Sequence, residues 1–179
     1  THLQSEGDFS YDTLDIRTES GQPLQRPQQR ERANNDFSSQ DLLARLTFSP
    51  WKNLELDVSN ELFHTERGQP GFAENPSLDA RQRYLRDATY IKAVLPRFLG
   101  QTSRLSGTLF QRFDRIRFRD PAPSLGNPID TLSRNYAFGG NLEWGLYGKA
   151  LACEHVAALG WDIEREELRD EVAAGQAGF

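Results

Sequence analysis

The 179-residue chain contains no methionine, one cysteine and three histidines. A single thiol, Cys153, excludes an internal disulfide framework and says little about redox compartment. His2, His64 and His155 are too few for a histidine-rich metal centre. Cys153 and His155 share a strand parity two residues apart, but two ligands without a third make no site, so no metal and no cofactor is expected. No apolar run approaches the ~20 residues of a membrane helix, so any membrane would have to be crossed by strands. No Gly-rich turn sits between a strand and a helix to cradle phosphate. No nucleophile–base set or spaced carboxylate pair points to catalysis, and the expectation is a protein that is not an enzyme. With 21 basic and 26 acidic residues the net charge is −5, which implies no overall basic surface for nucleic acid. The absence of an initiator methionine favours a mature chain or a fragment over a complete translation product.

Apolar content is also low. Hydrophobic residues make up 37% of the chain and charged residues 26%, against roughly 45–50% apolar (counting Gly) in soluble domains. Disorder produces such numbers, and so does a barrel with a polar interior and long loops. The 11% aromatic content and a regular apolar–polar alternation argue against disorder.

The alternation is clearest in NLELDVSNELF, residues 53–63, where Leu54, Leu56, Val58 and Leu62 oppose Glu55, Asp57, Ser59 and Glu61. A two-residue period marks a strand with one oily and one wet face. The oily face is covered by a second sheet in a β-sandwich and by lipid in an outer-membrane barrel. The pattern recurs at about 37–48 (Leu42, Ala44, Leu46, Phe48), 84–96 (Thr89, Ile91, Ala93, Leu95) and 103–118 (Leu105, Gly107, Leu109). It returns at about 130–146 (Tyr136, Phe138, Leu142, Trp144, Leu146) and in the last segment, HVAALGWDIERE (Ala157, Leu159, Trp161, Ile163). Residues 1–9 are read as the end of a further strand.

Between these segments the connections alternate in length. Polar Pro/Gly loops follow residues 9, 64 and 119, whereas SPWKN, RFLGQT and LYGKALAC are tight turns. The expected fold is therefore all-β: an antiparallel up-and-down meander of about seven long strands, with long loops on one side and short turns on the other. That is the rhythm of a partial transmembrane β-barrel. EREELRDEVAA, rich in helix formers, offers a competing short helix in the last 15 residues.

Several residues carry candidate roles. Tyr136, Trp144 and Trp161 read as girdle aromatics at the membrane interface, or as a soluble core. Gly139, Gly140 and Gly160 read as bends or close packing under an aromatic. RFDRIRFRD, residues 112–120, brings Arg112, Arg115 and Arg117 beside a loop. It suits an anionic ligand such as a ferric chelate or haem propionates, the phosphates of lipopolysaccharide, or simply a solvated strand end. Phe72 and Arg81, in the loop after His64, join these as candidate ligand contacts.

The order of short motifs resembles TonB-dependent outer-membrane receptors. GDF at 7–9 and NNDFSSQDLLARL at 34–46 are similar to a strand end and strand start that bracket an outer loop in that family. HVAALGWDIERE is similar to its H-x-L-x-x-G-x-D strand, notably in the haem and haemoglobin receptor branch. The resemblance spans nearly the whole chain, residues 1–179. It implies a segment of a 22-stranded barrel in the bacterial outer membrane, without the N-terminal plug, the TonB-contact segment and the remaining strands. It further implies energised uptake of a scarce iron-bearing solute, a ferric siderophore or haem, with TonB engaged through the absent N-terminal part and outer-membrane lipid around the barrel. A soluble extracellular β-sheet binding module, an outer-membrane enzyme and a small outer-membrane barrel without transport are the rival readings.

Overall fold

A computed structural model describes residues 1–7, 10–12, 16–17, 23–25, 28–71, 77–123, 127–150 and 153–174. The elements are β1 (His2–Ser5), β2 (Ser10–Asp12), β3 (Ile16–Arg17), β4 (Pro23–Gln25), β5 (Gln29–Glu31), β6 (Phe37–Trp51), β7 (Leu54–Gly68), β8 (Arg81–Leu95), β9 (Ser103–Asp120), β10 (Ile129–Ala150) and β11 (Cys153–Ala174). Seven of them form one sheet in the order β1-β6-β7-β8-β9-β10-β11, antiparallel throughout. The fold is thus an all-β meander, open at β1 and β11, which share no ladder among the described residues.

One expectation changes, and one open alternative is decided. Within the polar stretch after β1, read as loop, the described residues form two short ladders, β2 with β5 and β3 with β4. Short ladders of this kind need only backbone groups, so Gln- and Arg-rich sequence does not prevent them, and Pro23 is accommodated beside a register shift. The C-terminal segment is strand through Ala174, not helix. Its Glu and Arg residues find cross-strand partners on β10, including Arg134–Glu171 and Ser133–Asp170, and tertiary pairing overrides helix propensity. Residues 175–179 lie outside the described residues.

Connections at one end are residues 6–36, 69–80 and 121–128, and at the other 52–53, 96–102 and 151–152. The long–short contrast is steep at the first three in chain order. It fades at 96–102 against 121–128, because β9 and β10 run further toward that end than the alternation alone indicates.

Register places every apolar set on a single face. Opposed residues in antiparallel strands share a face, and one row reads Phe48–Leu56–Ala93–Gly107–Leu142–Trp161. The next reads Leu46–Val58–Ile91–Leu109–Gly140–Ile163. The other face carries Thr47–Asp57–Lys92–Thr108–Asn141–Asp162 and similar polar rows.

Among the described residues nothing covers the apolar face. Among the described residues the buried hydrophobic side chains are Ala80, Ala88, Val94 and Ala137, while Leu109 is 65% exposed, Trp161 65% and Leu159 70%. One layer of sheet cannot bury its own face, and domains ordinarily need a second.

Close packing fixes the strands locally. A Cβ on Gly139 would stand 2.5 Å from the Ile163 carbonyl oxygen and 2.9 Å from the Phe110 ring, which lies over it. Phe110 in turn stacks on Tyr90, centroids 6.2 Å apart. Gly139 therefore fits the expectation of a glycine beneath an aromatic. Gly140 lies under Leu109 instead, and Gly160 meets only a distant carbonyl.

Candidate functional site

The polar face curls around a cavity of about 850 Å³ touched by all seven strands, from Leu3 on β1 through Thr65, Tyr84, Asp114 and Ser133 to Leu168 on β11. A single cavity reached from both edge strands makes this face concave and the apolar face convex. The concave wall is built from alternate residues, many of them charged or hydroxylated, with Leu3, Phe37, Ile116 and Leu168 among them.

Its centre is Asp114, 8% exposed. Tyr84 Oη donates to Asp114 Oδ1 at 2.7 Å and Arg86 Nε donates to the same oxygen at 2.8 Å. Arg112 Nε lies 3.0 Å from Asp114 Oδ2 as an ion pair, without the alignment of a hydrogen bond. Arg112 Nη2 reaches Glu166 Oε1 at 3.1 Å, and Asn135 Nδ2 donates to that oxygen at 2.6 Å. The network links β8, β9, β10 and β11. It supplies cross-strand attachment where a packed core is missing, and it needs a hydrated or polar environment to remain favourable. Parity alone could have located it, because Arg112 and Asp114 are two apart on one strand.

A second knot holds the end with the longer connections. Asn34 adopts φ 55°, a left-handed conformation that Asn tolerates. Its Nδ2 is directed at the carbonyls of Ala80 (2.8 Å), Ser77 (3.1 Å) and Gln69 (3.4 Å). Arg81 Nη1 donates to Asp36 Oδ1 at 2.8 Å and Oδ2 at 2.6 Å, and Ser77 Oγ donates to Asp120 at 3.1 Å. Gly7, at φ 65°, lies so close to Asn35 that a Cβ would fall 1.9 Å from its carbonyl oxygen, and Asn35 Nδ2 donates back to Gly7 O at 3.3 Å. The glycine of GDF and the second asparagine of NNDF are thus in mutual contact. With Asn34, their role here is to fasten the connections 28–36 and 69–80 to the sheet.

The candidate ligand residues divide between the faces. Arg112 lies on the concave face, and Arg115 and Arg117 lie on the convex one, as strand alternation requires. Arg81, at the start of β8, is taken up by Asp36 with Glu66 at 3.7 Å. Phe72 lies outside the described residues. The four described residues are not brought into one cluster. Sequence proximity in 112–120 concealed this division, and the cations that do line the large cavity, Arg67 and Arg86, were not singled out by sequence.

The interface aromatics share the convex face with Leu142 and Leu146. Trp144 opposes Leu105 and Leu159 toward the short turns, and Trp161 opposes Leu142 one row further in. Tyr136, 4.7 Å from the Phe113 ring, marks the opposite border. Between them runs the aliphatic row of Val58, Ile91, Leu109 and Ile163. The band is thinner on β7 and β8, where Asn60 donates to Asp87 at 2.8 Å and Thr89 at 3.0 Å on this same face.

Among the described residues no group of three His, Cys, Asp or Glu side chains is arranged to hold a metal. Likewise no helix is long and apolar enough to cross a membrane, a statement that does not bear on strands. His64 and His155 both lie on the convex-face parity. No protein-family model matches the chain, and no curated protein matches it.

Proposed function

We propose that the chain forms part of the wall of an outer-membrane β-barrel receptor of the TonB-dependent type. Its convex face contacts lipid and its concave face lines the lumen through which a scarce anionic iron-bearing solute, a ferric siderophore or haem, is taken in. The observation that carries the reading is the pairing of faces: a single-layer sheet with uncovered apolar rows on the convex side and an ion-paired polar wall on the concave side. Dimensions support it. From Leu146 to Tyr136 is about ten residues, roughly 33 Å of strand at ~3.3 Å each, and a tilt of ~40° reduces that to about 25 Å, the height of a barrel's apolar band.

Arg67 and Arg86 face the cavity and provide charge-assisted donors for carboxylate, hydroxamate or propionate oxygens. The connections 69–80 and 121–128 stand at the outer mouth in this reading. TonB engagement belongs, in this reading, to residues other than 1–179.

Expression in a host lacking its own siderophore and haem receptors tests the proposal. The protein is expected in the outer-membrane fraction, with growth on ferric siderophore or haem as iron source dependent on it. Deleting 121–128, with folding confirmed by heat-modifiable mobility, is expected to weaken that uptake. Recovery in the soluble fraction after detergent-free lysis would overturn the membrane assignment. Location in the outer membrane with no growth on any chelate would overturn the iron-bearing substrate.

A further inference from the structure

Beyond the apolar band, the convex face carries a row in which Arg115 on β9 stands opposite Arg134 on β10, which stands opposite Arg169 on β11. Like charges placed directly across a ladder are destabilising unless something neutralises them. Arg134 is held by Glu171 and Arg169 by Glu167. Arg115 forms no ion pair among the described residues, although it sits in the middle of the sheet. On its other side it opposes Leu85, and there a cleft of about 170 Å³ opens, lined by His64, Arg83, Leu85, Arg115 and Arg117. Arg83 is engaged by Glu66 and Arg117 by Asp130, so each of these two guanidiniums has a carboxylate on one flank while also lining the cleft.

We propose that this cleft binds the phosphate of a lipid headgroup, with Arg115 as its principal contact. The chemistry is that of a phosphate monoester or diester: planar guanidinium donors line a cleft sized for a compact anion, and the His64 ring lines it as well. Lipid is the source favoured by position. The cleft has an apolar floor in Leu85, and the adjacent row on the same face reads Leu62, Asp87, Phe113 and Tyr136, so a headgroup phosphate lies against the cleft while the acyl chains continue past Phe113 and Tyr136, away from Asp87, toward the apolar rows. The inference rests on the lipid-facing assignment of the convex face, and it concerns the outside of the wall, not the solute passing within.

The test uses the whole protein purified in neutral detergent, titrated with micelles containing lipid A, with micelles containing enzymatically dephosphorylated lipid A, and with inorganic phosphate. Membrane location is scored separately by fractionation, so failure of the lipid-facing reading and failure of the cleft give different results. Lipid A is expected to bind, and Arg115→Gln to weaken it about tenfold. Arg115→Lys should retain part of the affinity, and Arg119→Ala, on the same face outside the cleft, should leave it unchanged. Dephosphorylated lipid A is expected to bind at least tenfold more weakly than lipid A. Equal binding of the two lipids, or equal binding by wild type and Arg115→Gln, would overturn the proposal. Displacement of lipid A by millimolar inorganic phosphate would reassign the cleft to free phosphate. Should Arg115→Gln fail to fold, Arg83→Gln with Glu66→Gln, which empties the neighbouring position without leaving an unpaired carboxylate, is read in the same way.

Discussion

At the residue scale the fold depends on alternation, and each position's environment follows from its parity. Leu109 and Ser106 are three apart on β9 and face opposite ways, Leu109 toward Ile91 and Gly140, Ser106 toward Val94 and Glu143. If lipid covers the convex face, Leu109→Arg should destabilise the folded protein by about 2–4 kcal/mol, since it lies in the aliphatic row near the middle of the band. Ser106→Arg gains an acidic neighbour in a polar wall and should be mild. Urea titrations of the two variants refolded into lipid vesicles measure the difference, and equal penalties would remove the assignment of faces. The parity behind this prediction was readable from sequence for all six apolar sets. Asn34 was not readable in the same way. Its left-handed backbone and its reach to three carbonyls depend on residues 35 to 46 positions away, and local pattern contains no such information.

At the element scale, strand existence was legible and strand length was not. Alternation weakens where charge occupies both faces, as in 112–120 and 164–171, yet the ladders continue through both. What extends them is pairing: Arg117 with Asp130 and Arg134 with Glu171 tie successive strands beyond the apolar rows, and Arg112 with Glu166 reaches from β9 across β10 to β11. Individually such exposed pairs contribute roughly 0–1 kcal/mol, so they select register more than they stabilise the sheet. The same lengthening leaves 69–80 and 121–128 as connections outside the strands of the seven-stranded sheet, at the end that the proposed orientation turns outward. Protease added to intact cells should therefore cut within those segments before it touches 52–53 or 96–102, which lie at the opposite end of the sheet. Mapping the first cleavage products by mass spectrometry gives the order, and early cuts in 52–53 or 96–102 would reverse the orientation of the sheet in the membrane.

At the scale of the whole molecule the sheet has two edges, and β11 is the more exposed. Its two halves differ. Residues 164–171 present Glu164, Arg165, Glu166, Glu167, Arg169, Asp170 and Glu171, and charges along an edge discourage pairing with another strand. Residues 156–161 present Val156, Ala157, Ala158, Leu159, Gly160 and Trp161, uncharged on both faces and exposed. An uncharged, β-prone edge of that kind is a template for strand addition. In a completed barrel a following strand would occupy it. The chain of residues 1–179 taken alone should therefore self-associate in detergent through this half of β11. Ala158→Lys, which places a charge on the edge opposite Gly145, should shift sedimentation-velocity profiles toward monomer. Glu166→Lys, in the half already guarded by charge, should not produce that shift. Association that is unaffected by Ala158→Lys would mean that the contact runs through the apolar convex face or through β1. The open edge of β11 would then need a different explanation for remaining unpaired.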